Sequence, residues 1–250
     1  MRYLIRLSYH GGPFSGWQVQ PGEITVQGEL NRCLSALVGD DIHVVGAGRT
    51  DTGVHASCMF AHFDHSTELD TDQIVFRLNR FLPESIAIEW MRRVEEETHA
   101  RFSAISRTYH YFIHPQKDPF LVDRSFHLEM DLKLEDMNKA ARSLLGHHDF
   151  SCFSKSHTQT KTNFCRVEEA SWEVIDGQFR FTIKADRFLR NMVRAIVGSL
   201  LEVGSGKQPI SYISELMGSG DRKLAGQSVP AHGLFLVDVE YPEGVIKSIV

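Results

Sequence analysis

The sequence of 250 residues has few cysteines, no long apolar run and no excess of positive charge. Its four cysteines contain no C-x-x-C pair, which predicts reduced, mostly buried thiols and excludes a disulfide framework or a cysteine zinc site. No apolar run approaches the roughly 20 residues that span a membrane. The opening stretch Met1–Arg6 reaches a charge too early for a signal peptide. We therefore expect a cytoplasmic protein with no membrane segment.

The balance of charge sets a second limit. Hydrophobic residues make up 42% and charged residues 24% of the chain, as in ordinary globular proteins, which excludes the disordered class. The formal net charge is -5, which argues against a nucleic-acid partner unless basic residues gather on one face.

Apolar periodicity predicts the same order of elements in both halves. The first hundred residues indicate strand, helix, strand, strand, helix, strand, with Asp72 as the cap of the second helix. In the second half, Asp176-Gly177 indicates a β-hairpin, and a long helix is expected from about Arg187 to Val203. We predict an α+β fold of two tandem βαββαβ halves, ferredoxin-like or RNA-recognition-like, with mainly antiparallel sheets. The halves are 1–104 and 105–250, with the active-site cleft between them.

One polar loop concentrates the chemistry, the ten residues from Gly46 to His55. Its glycines Gly46, Gly48 and Gly53 relax the backbone around a polar cluster. Asp51 lies two residues from Arg49, so an ion pair or a shared substrate contact would lower the pKa of Asp51 and keep it ionised. The alternative is a glycine-rich turn with a solvated Asp and Arg.

A basic stripe is the second chemical signal. Arg187, Arg190 and Arg194 are three and four residues apart, which would place them on one face of the long helix. Such a face suits a phosphate or carboxylate partner. The alternative is a solvated face whose arginine stems cover apolar surface.

These motifs resemble the tRNA pseudouridine synthase A family. Its active-site loop reads G-R-T-D-A-G-V-H, matched here except that Thr52 replaces Ala. The segment 188–198 matches F-x-R-x-M-V-R-x-x-V-G, and 99–104 reads H-A-R-F-S-A, followed by R-x-Y-x-Y. The family's Y-D-G stretch is matched less closely, with His10 in place of Asp.

The resemblance implies an isomerase (intramolecular transferase) that converts uridine to pseudouridine in the anticodon stem-loop of tRNA, at positions 38 to 40, without metal or cofactor. Asp51 would be the catalytic nucleophile, paired with Arg194 and close to Arg49. Tyr109 would stack on the flipped base. The resemblance also implies a homodimer that shares the tRNA.

RNA binding would then depend on local basic surface, because the net charge is negative. The candidate residues are Arg187, Arg190, Lys155, Lys161 and Arg166.

Two other classes remain open. Asp51-Thr52-Gly53 is also the catalytic triplet of dimeric aspartic proteases, in which two such loops share a proton, but the predicted helices disagree with that nearly all-β fold. A non-catalytic RNA-binding module of doubled RNA-recognition type is the other, although the aromatic signature of that fold is missing.

Overall fold

The structure is a computed structural model that describes residues 1–154 and 162–246. It divides into two compact units. The first unit is Met1–Ser106 together with the chain from Phe235 onward, and the second is Arg107–Leu234.

The first unit is a helix-backed antiparallel sheet. Its elements are β1 Arg2–Tyr9, α1 Val26–Val38, β2 Val45–Gly46, β3 His55–Asp64, α2 Thr71–Phe81 and β4 Ile86–Val94. The strands are ordered β4-β1-β3-β2, and each neighbouring pair is antiparallel. Helix α1 packs against α2, and α2 against β4. This arrangement confirms the predicted βαββαβ half.

Local capping explains where the two helices begin and end. Thr25 accepts a hydrogen bond from the Gly28 N–H at the start of α1, and Gly39, at φ 75°, ends that helix in the left-handed region. The prediction that Asp72 caps α2 was wrong. Asp70 caps it instead, because its side chain accepts a hydrogen bond from the Gln73 N–H.

The second unit has a similar design. Its elements are β5 Ser106–His114, β6 Phe126–His127, α3 Leu134–Ala141, β7 Gly146–Asp149, β8 Phe164–Ile175, β9 Gln178–Ala185, α4 Met192–Gly204 and α5 Tyr212–Ser219. The last strand of the chain, β10 Leu234–Glu240, follows this unit. Short 3-10 turns occupy Arg142–Leu144, Ser151–Phe153, Arg222–Leu224 and Ala231–Gly233. The strand order β5-β9-β8-β7 is antiparallel throughout, and α3 packs on α4 and β8. The mainly antiparallel α+β class is therefore confirmed.

The predicted hairpin is present. Asp176 and Gly177 both have positive φ, at 49° and 76°, between the paired residues Ile175 and Gln178. Two consecutive left-handed residues are what a type I′ turn requires.

The long basic helix was predicted wrongly. Asn191 has φ 65°, in the left-handed region, and α4 begins only at Met192. A left-handed residue cannot continue a right-handed helix, so Arg187 and Arg190 precede the helix and only Arg194 lies on it. The single helical stripe of three arginines does not exist.

The end of the chain also departs from the expected division. Strand β10 pairs in parallel with β3, with Phe235 opposite His55. The chain from Phe235 onward therefore groups with the first unit, whereas the expected second half ran through 105–250. The assignment of 1–104 and 105–250 as functional halves stays a proposal.

Two further expectations concern the thiols and the membrane. Cys33, Cys58, Cys152 and Cys165 are all free and buried, as predicted. Across residues 1–154 and 162–246, no helix is both long and apolar enough to cross a membrane.

Candidate active site

Asp51 lies in the connection between β2 and β3, residues 47–54, here called the Asp51 loop. The Asp51 side chain is half-buried, Arg49 is exposed, and Thr50 between them is buried. The loop starts from the sheet, because the Ala47 N–H donates to the Phe60 carbonyl at 2.7 Å. Asp51 is therefore half-buried on a backbone that is anchored at its start.

A second glycine-rich segment, Gly11–Trp17, holds the Asp51 loop by its backbone. The Trp17 N–H donates to the Thr50 carbonyl at 3.1 Å. A Cβ on Gly16 would lie 2.6 Å from the Thr50 oxygen, and one on Gly11 would lie 2.1 Å from the Val54 oxygen. No side chain fits at either position. The motif match at His10 did not indicate that this segment holds the Asp51 loop.

Side chains complete the support. The hydroxyls of Tyr9 and Thr50 are 2.8 Å apart in a buried hydrogen bond. The Trp17 ring packs so closely on Gly46 that a Cβ there would lie 2.5 Å from it. Gly53 has φ 78°. Gly46 and Gly53 therefore need to be glycine, whereas Gly48 has open space around it and no positive φ.

In the second unit, Arg194 is oriented by the chain that follows α5. Its Nε donates to the Val229 carbonyl at 2.7 Å, and the Val229 N–H donates to the Arg194 carbonyl at 3.2 Å. The Tyr111 hydroxyl donates to the next carbonyl, that of Pro230, at 2.8 Å. The guanidinium is thus fixed through one nitrogen by a backbone oxygen.

Two titratable side chains that interact with the Arg194 cation have shifted pKa values. Burial raises the pKa of Tyr111, although the Arg194 cation opposes that shift. Burial also lowers the pKa of His232, and the Arg194 cation adds to that shift. Arg194 is therefore a cation beside a protonated phenol and a neutral imidazole.

Tyr109 is half-buried on β5, two residues before Tyr111 and so on the same face of the strand. The rings of Tyr109 and Phe188 pack edge to face, with centroids 5.0 Å apart and planes at 82°. Phe188 comes from the segment that precedes α4. That segment therefore fixes the orientation of the tyrosine.

Three of the predicted RNA-binding residues, all arginines, lie in the part of the chain that the structure describes. Arg166 and Arg190 are exposed and Arg187 is half-buried. Asp186, the residue before Arg187, links that arginine's segment to Arg166. Its N–H donates to the Arg166 carbonyl at 3.1 Å, and its carboxylate accepts from the Arg166 N–H at 2.8 Å. Lys155 and Lys161 lie outside the described residues.

Comparison with known proteins identifies the family. A family model described as tRNA pseudouridine synthase matches residues 140–242. Proteins named tRNA pseudouridine synthase A are similar over almost the whole chain: that of Bacteroides thetaiotaomicron is 48% identical, covering 98% of this chain and 93% of its own. The Parabacteroides distasonis protein is 49% identical, covering 97% of this chain and 96% of its own. The Bacillus subtilis protein is 39% identical, covering 96% of this chain and 99% of its own. This chain belongs to the tRNA pseudouridine synthase A family. The resemblance seen in the sequence is thereby confirmed.

The two departures from the tRNA pseudouridine synthase A pattern are placed differently in the structure. Thr52 is exposed, so its extra atoms face solvent and do not disturb the packing of the loop. The ring centroid of His10 lies 4.5 Å from that of His55, whose Nδ1 accepts from the Gly11 N–H at 3.0 Å. His10 therefore packs at the junction between the Asp51 loop and the segment that holds it.

Membership of the tRNA pseudouridine synthase A family decides against the aspartic protease interpretation. It does not by itself assign roles to residues. Asp51 and Arg49 belong to the first unit, while Tyr109 and Arg194 belong to the second. The expected pairing of Asp51 with Arg194 stays a prediction.

Proposed function

We propose that this chain converts uridine to pseudouridine at positions 38 to 40 of the anticodon stem-loop of tRNA, with Asp51 as the catalytic nucleophile. The reaction class follows from the family. The observation that supports Asp51 is its place on a loop that is held at Thr50 by a backbone hydrogen bond from Trp17 and is packed at Thr50 and Val54 against Gly16 and Gly11, where no side chain fits. A fixed carboxylate is what covalent or base catalysis at a nucleoside requires.

The chemistry is an isomerisation that needs no external reactant. The bond between C1′ of the ribose and N1 of uracil breaks, the base turns, and a bond forms between C1′ and C5. The proton leaves C5, and N1 gains one, so atoms and charges balance. Attack of the carboxylate at C1′, attack at C6 and a glycal route all assign the same residue, Asp51.

The other site residues would keep the Asp51 carboxylate ionised and position the substrate. Arg194, with its Nε held by the Val229 carbonyl, would present its remaining N–H groups to the Asp51 carboxylate and keep it ionised. Arg49, exposed two residues before Asp51, would contact the substrate phosphate or the same carboxylate. Tyr109, braced by Phe188, would stack on the uracil once it has left the RNA helix and assist removal of the C5 proton.

Binding of the whole tRNA would use Arg166, Arg187, Arg190, Lys155 and Lys161. With a net charge of -5, affinity depends on this local basic surface and should weaken steeply with salt. A chain of 28.4 kDa offers limited area for an L-shaped RNA, so we infer a cytoplasmic homodimer whose two subunits share the tRNA.

The test is position-resolved mapping of pseudouridine in unmodified tRNA transcripts after incubation with the protein. We expect modification at positions 38 to 40. Pseudouridine only at positions elsewhere in the tRNA would contradict the proposed target, and its absence from every position would contradict the proposed reaction.

A further inference from the structure

One aromatic side chain of the first unit projects into solvent from a firmly held loop. Phe102 is 75% exposed. It lies in the loop His99–Ser103, between β4 and β5. Phe102 has no role in the mechanism described above.

The ring is supported from below by two histidines. The Phe102 centroid lies 4.3 Å from that of His99, with planes at 36°, and His99 lies 4.5 Å from the buried His62. The three rings form a column from the core to the surface. Burial lowers the pKa of both histidines, that of His62 to about 4, so both rings are neutral at pH 7.

Hydrogen bonds keep this loop in one conformation. The Nδ1 of His99 accepts from the N–H groups of Arg101 and Phe102 at 3.1 and 3.2 Å, and the Ser103 N–H donates to the His99 carbonyl at 2.9 Å. The Ala100 N–H donates to His62 Nδ1 at 3.1 Å. The exposed ring is therefore presented by a rigid support, which limits the entropy lost when a partner binds.

A positive charge lies over the Phe102 ring. The Arg101 guanidinium carbon is 5.6 Å from the Phe102 centroid, within the range of a cation–π contact. An aromatic face with an adjacent guanidinium suits a nucleobase that carries a phosphate, and proteins recognise unpaired bases by stacking them on such faces.

We propose that Phe102 is a stacking platform for an unpaired nucleobase of the tRNA, with Arg101 next to the attached phosphate. The inference rests on the proposed function, because it takes tRNA as the partner. A second copy of the chain is the less suitable occupant. One ring and one guanidinium provide far less than the roughly 800 Å² that each partner buries in a stable interface.

The test measures the dissociation constant for an unmodified full-length tRNA transcript. Phe102→Ala should weaken binding about 5- to 150-fold, the range for loss of one stacked base. Phe102→Trp should return the dissociation constant to within about threefold of the wild-type value, since any large aromatic face can stack. The added tryptophan should also lose fluorescence when tRNA binds.

Two controls separate stacking from general surface effects. Phe120, in the second unit, is 78% exposed, and Phe120→Ala should change the dissociation constant by less than about twofold. Because phenylalanine is uncharged, Phe102→Ala should leave unchanged the slope of binding against the logarithm of salt concentration.

Equal binding by Phe102→Ala and Phe120→Ala would overturn the platform. A change in the sedimentation of the free protein caused by Phe102→Ala would overturn it in favour of a second copy of the chain. Pseudouridine formation by the wild type is measured in parallel. Loss of the proposed function is therefore distinguishable from loss of the platform.

Discussion

At the scale of single residues, the orientation of Arg194 is the feature on which the proposed charge pair depends. Its Nε bond to the Val229 carbonyl, at 2.7 Å, uses one of the five N–H donors of the planar guanidinium. Lysine has the same charge but only one nitrogen, so it cannot serve both partners in this geometry.

Arg194→Lys should therefore reduce kcat by about 10- to 100-fold and leave the tRNA dissociation constant within about threefold, since only the reacting carboxylate loses its oriented partner. Arg142→Lys, at an exposed position after α3, is the matched control and should have normal kcat. Equal kcat in the two variants would exclude Arg194 from the charge pair.

Site residues differed in how far the sequence could reveal them. Asp51 stands inside a ten-residue motif, so local sequence is enough to find it. The hydrogen bond between Tyr9 and Thr50 joins residues 41 apart in sequence. No spacing rule predicts such a contact, although the glycines of the segment Gly11–Trp17 are a sequence signal of close backbone approach.

At the scale of elements, the packing of the Gly11–Trp17 segment against the Asp51 loop determines the position of the carboxylate. Gly16 has φ 85°, and a Cβ there would lie 2.6 Å from the Thr50 oxygen. Gly22 has a similar φ of 76° but open space around it.

Gly16→Ala should reduce kcat at least about tenfold, because the Asp51 loop must move, and should destabilise the protein by more than about 2 kcal/mol. Gly22→Ala has the same backbone strain, about 1–2 kcal/mol, without the collision, and should keep normal kcat. Chemical denaturation and single-turnover kinetics measure the two effects. Normal kcat in Gly16→Ala would mean that this segment does not position Asp51.

Element order was predictable because apolar periodicity and caps are local. The error at α4 shows the limit of such reasoning. The apolar spacing runs through Phe188 and Met192, yet the helix begins only after Asn191, whose Nδ2 donates to Ser228 Oγ at 2.6 Å. That contact, 37 residues away in sequence, accompanies the left-handed conformation and is invisible to periodicity.

At the scale of the whole molecule, His62 links stability to pH. It is 4% exposed, and burial, together with the charges of His99 and Arg2, lowers its pKa to about 4. The unfolded chain takes up this proton near pH 6.5, so between pH 6.5 and 4 the unfolded state binds more protons than the folded state. The free energy of unfolding should therefore fall, as pH decreases through this window, by up to about 3 kcal/mol from this residue.

His62→Asn should reduce that loss, since asparagine does not titrate and its oxygen can still accept from the Ala100 N–H. Denaturant unfolding at pH 4, 5, 6 and 7 gives the slope of the unfolding free energy against pH. His147→Asn, at an exposed position, should leave the wild-type slope unchanged. If His62→Asn and His147→Asn both show the wild-type dependence of the unfolding free energy on pH, His62 is not the group that links stability to pH.

The division into units also shows what a sequence cannot supply. Two βαββαβ halves followed from element order alone, whereas the parallel pairing of β10 with β3 joins residues about 180 apart and has no local signature.

The most direct test of the central claim, that Asp51 is the nucleophile of a pseudouridine synthase, is release of tritium from C5 of uridine in tRNA. Asp51→Asn preserves the shape of the side chain and removes its charge. Asp41→Asn makes the same change at an exposed position before β2. We predict release by the wild type and by Asp41→Asn, and none by Asp51→Asn despite normal tRNA binding. Release by Asp51→Asn at the wild-type rate would contradict the account.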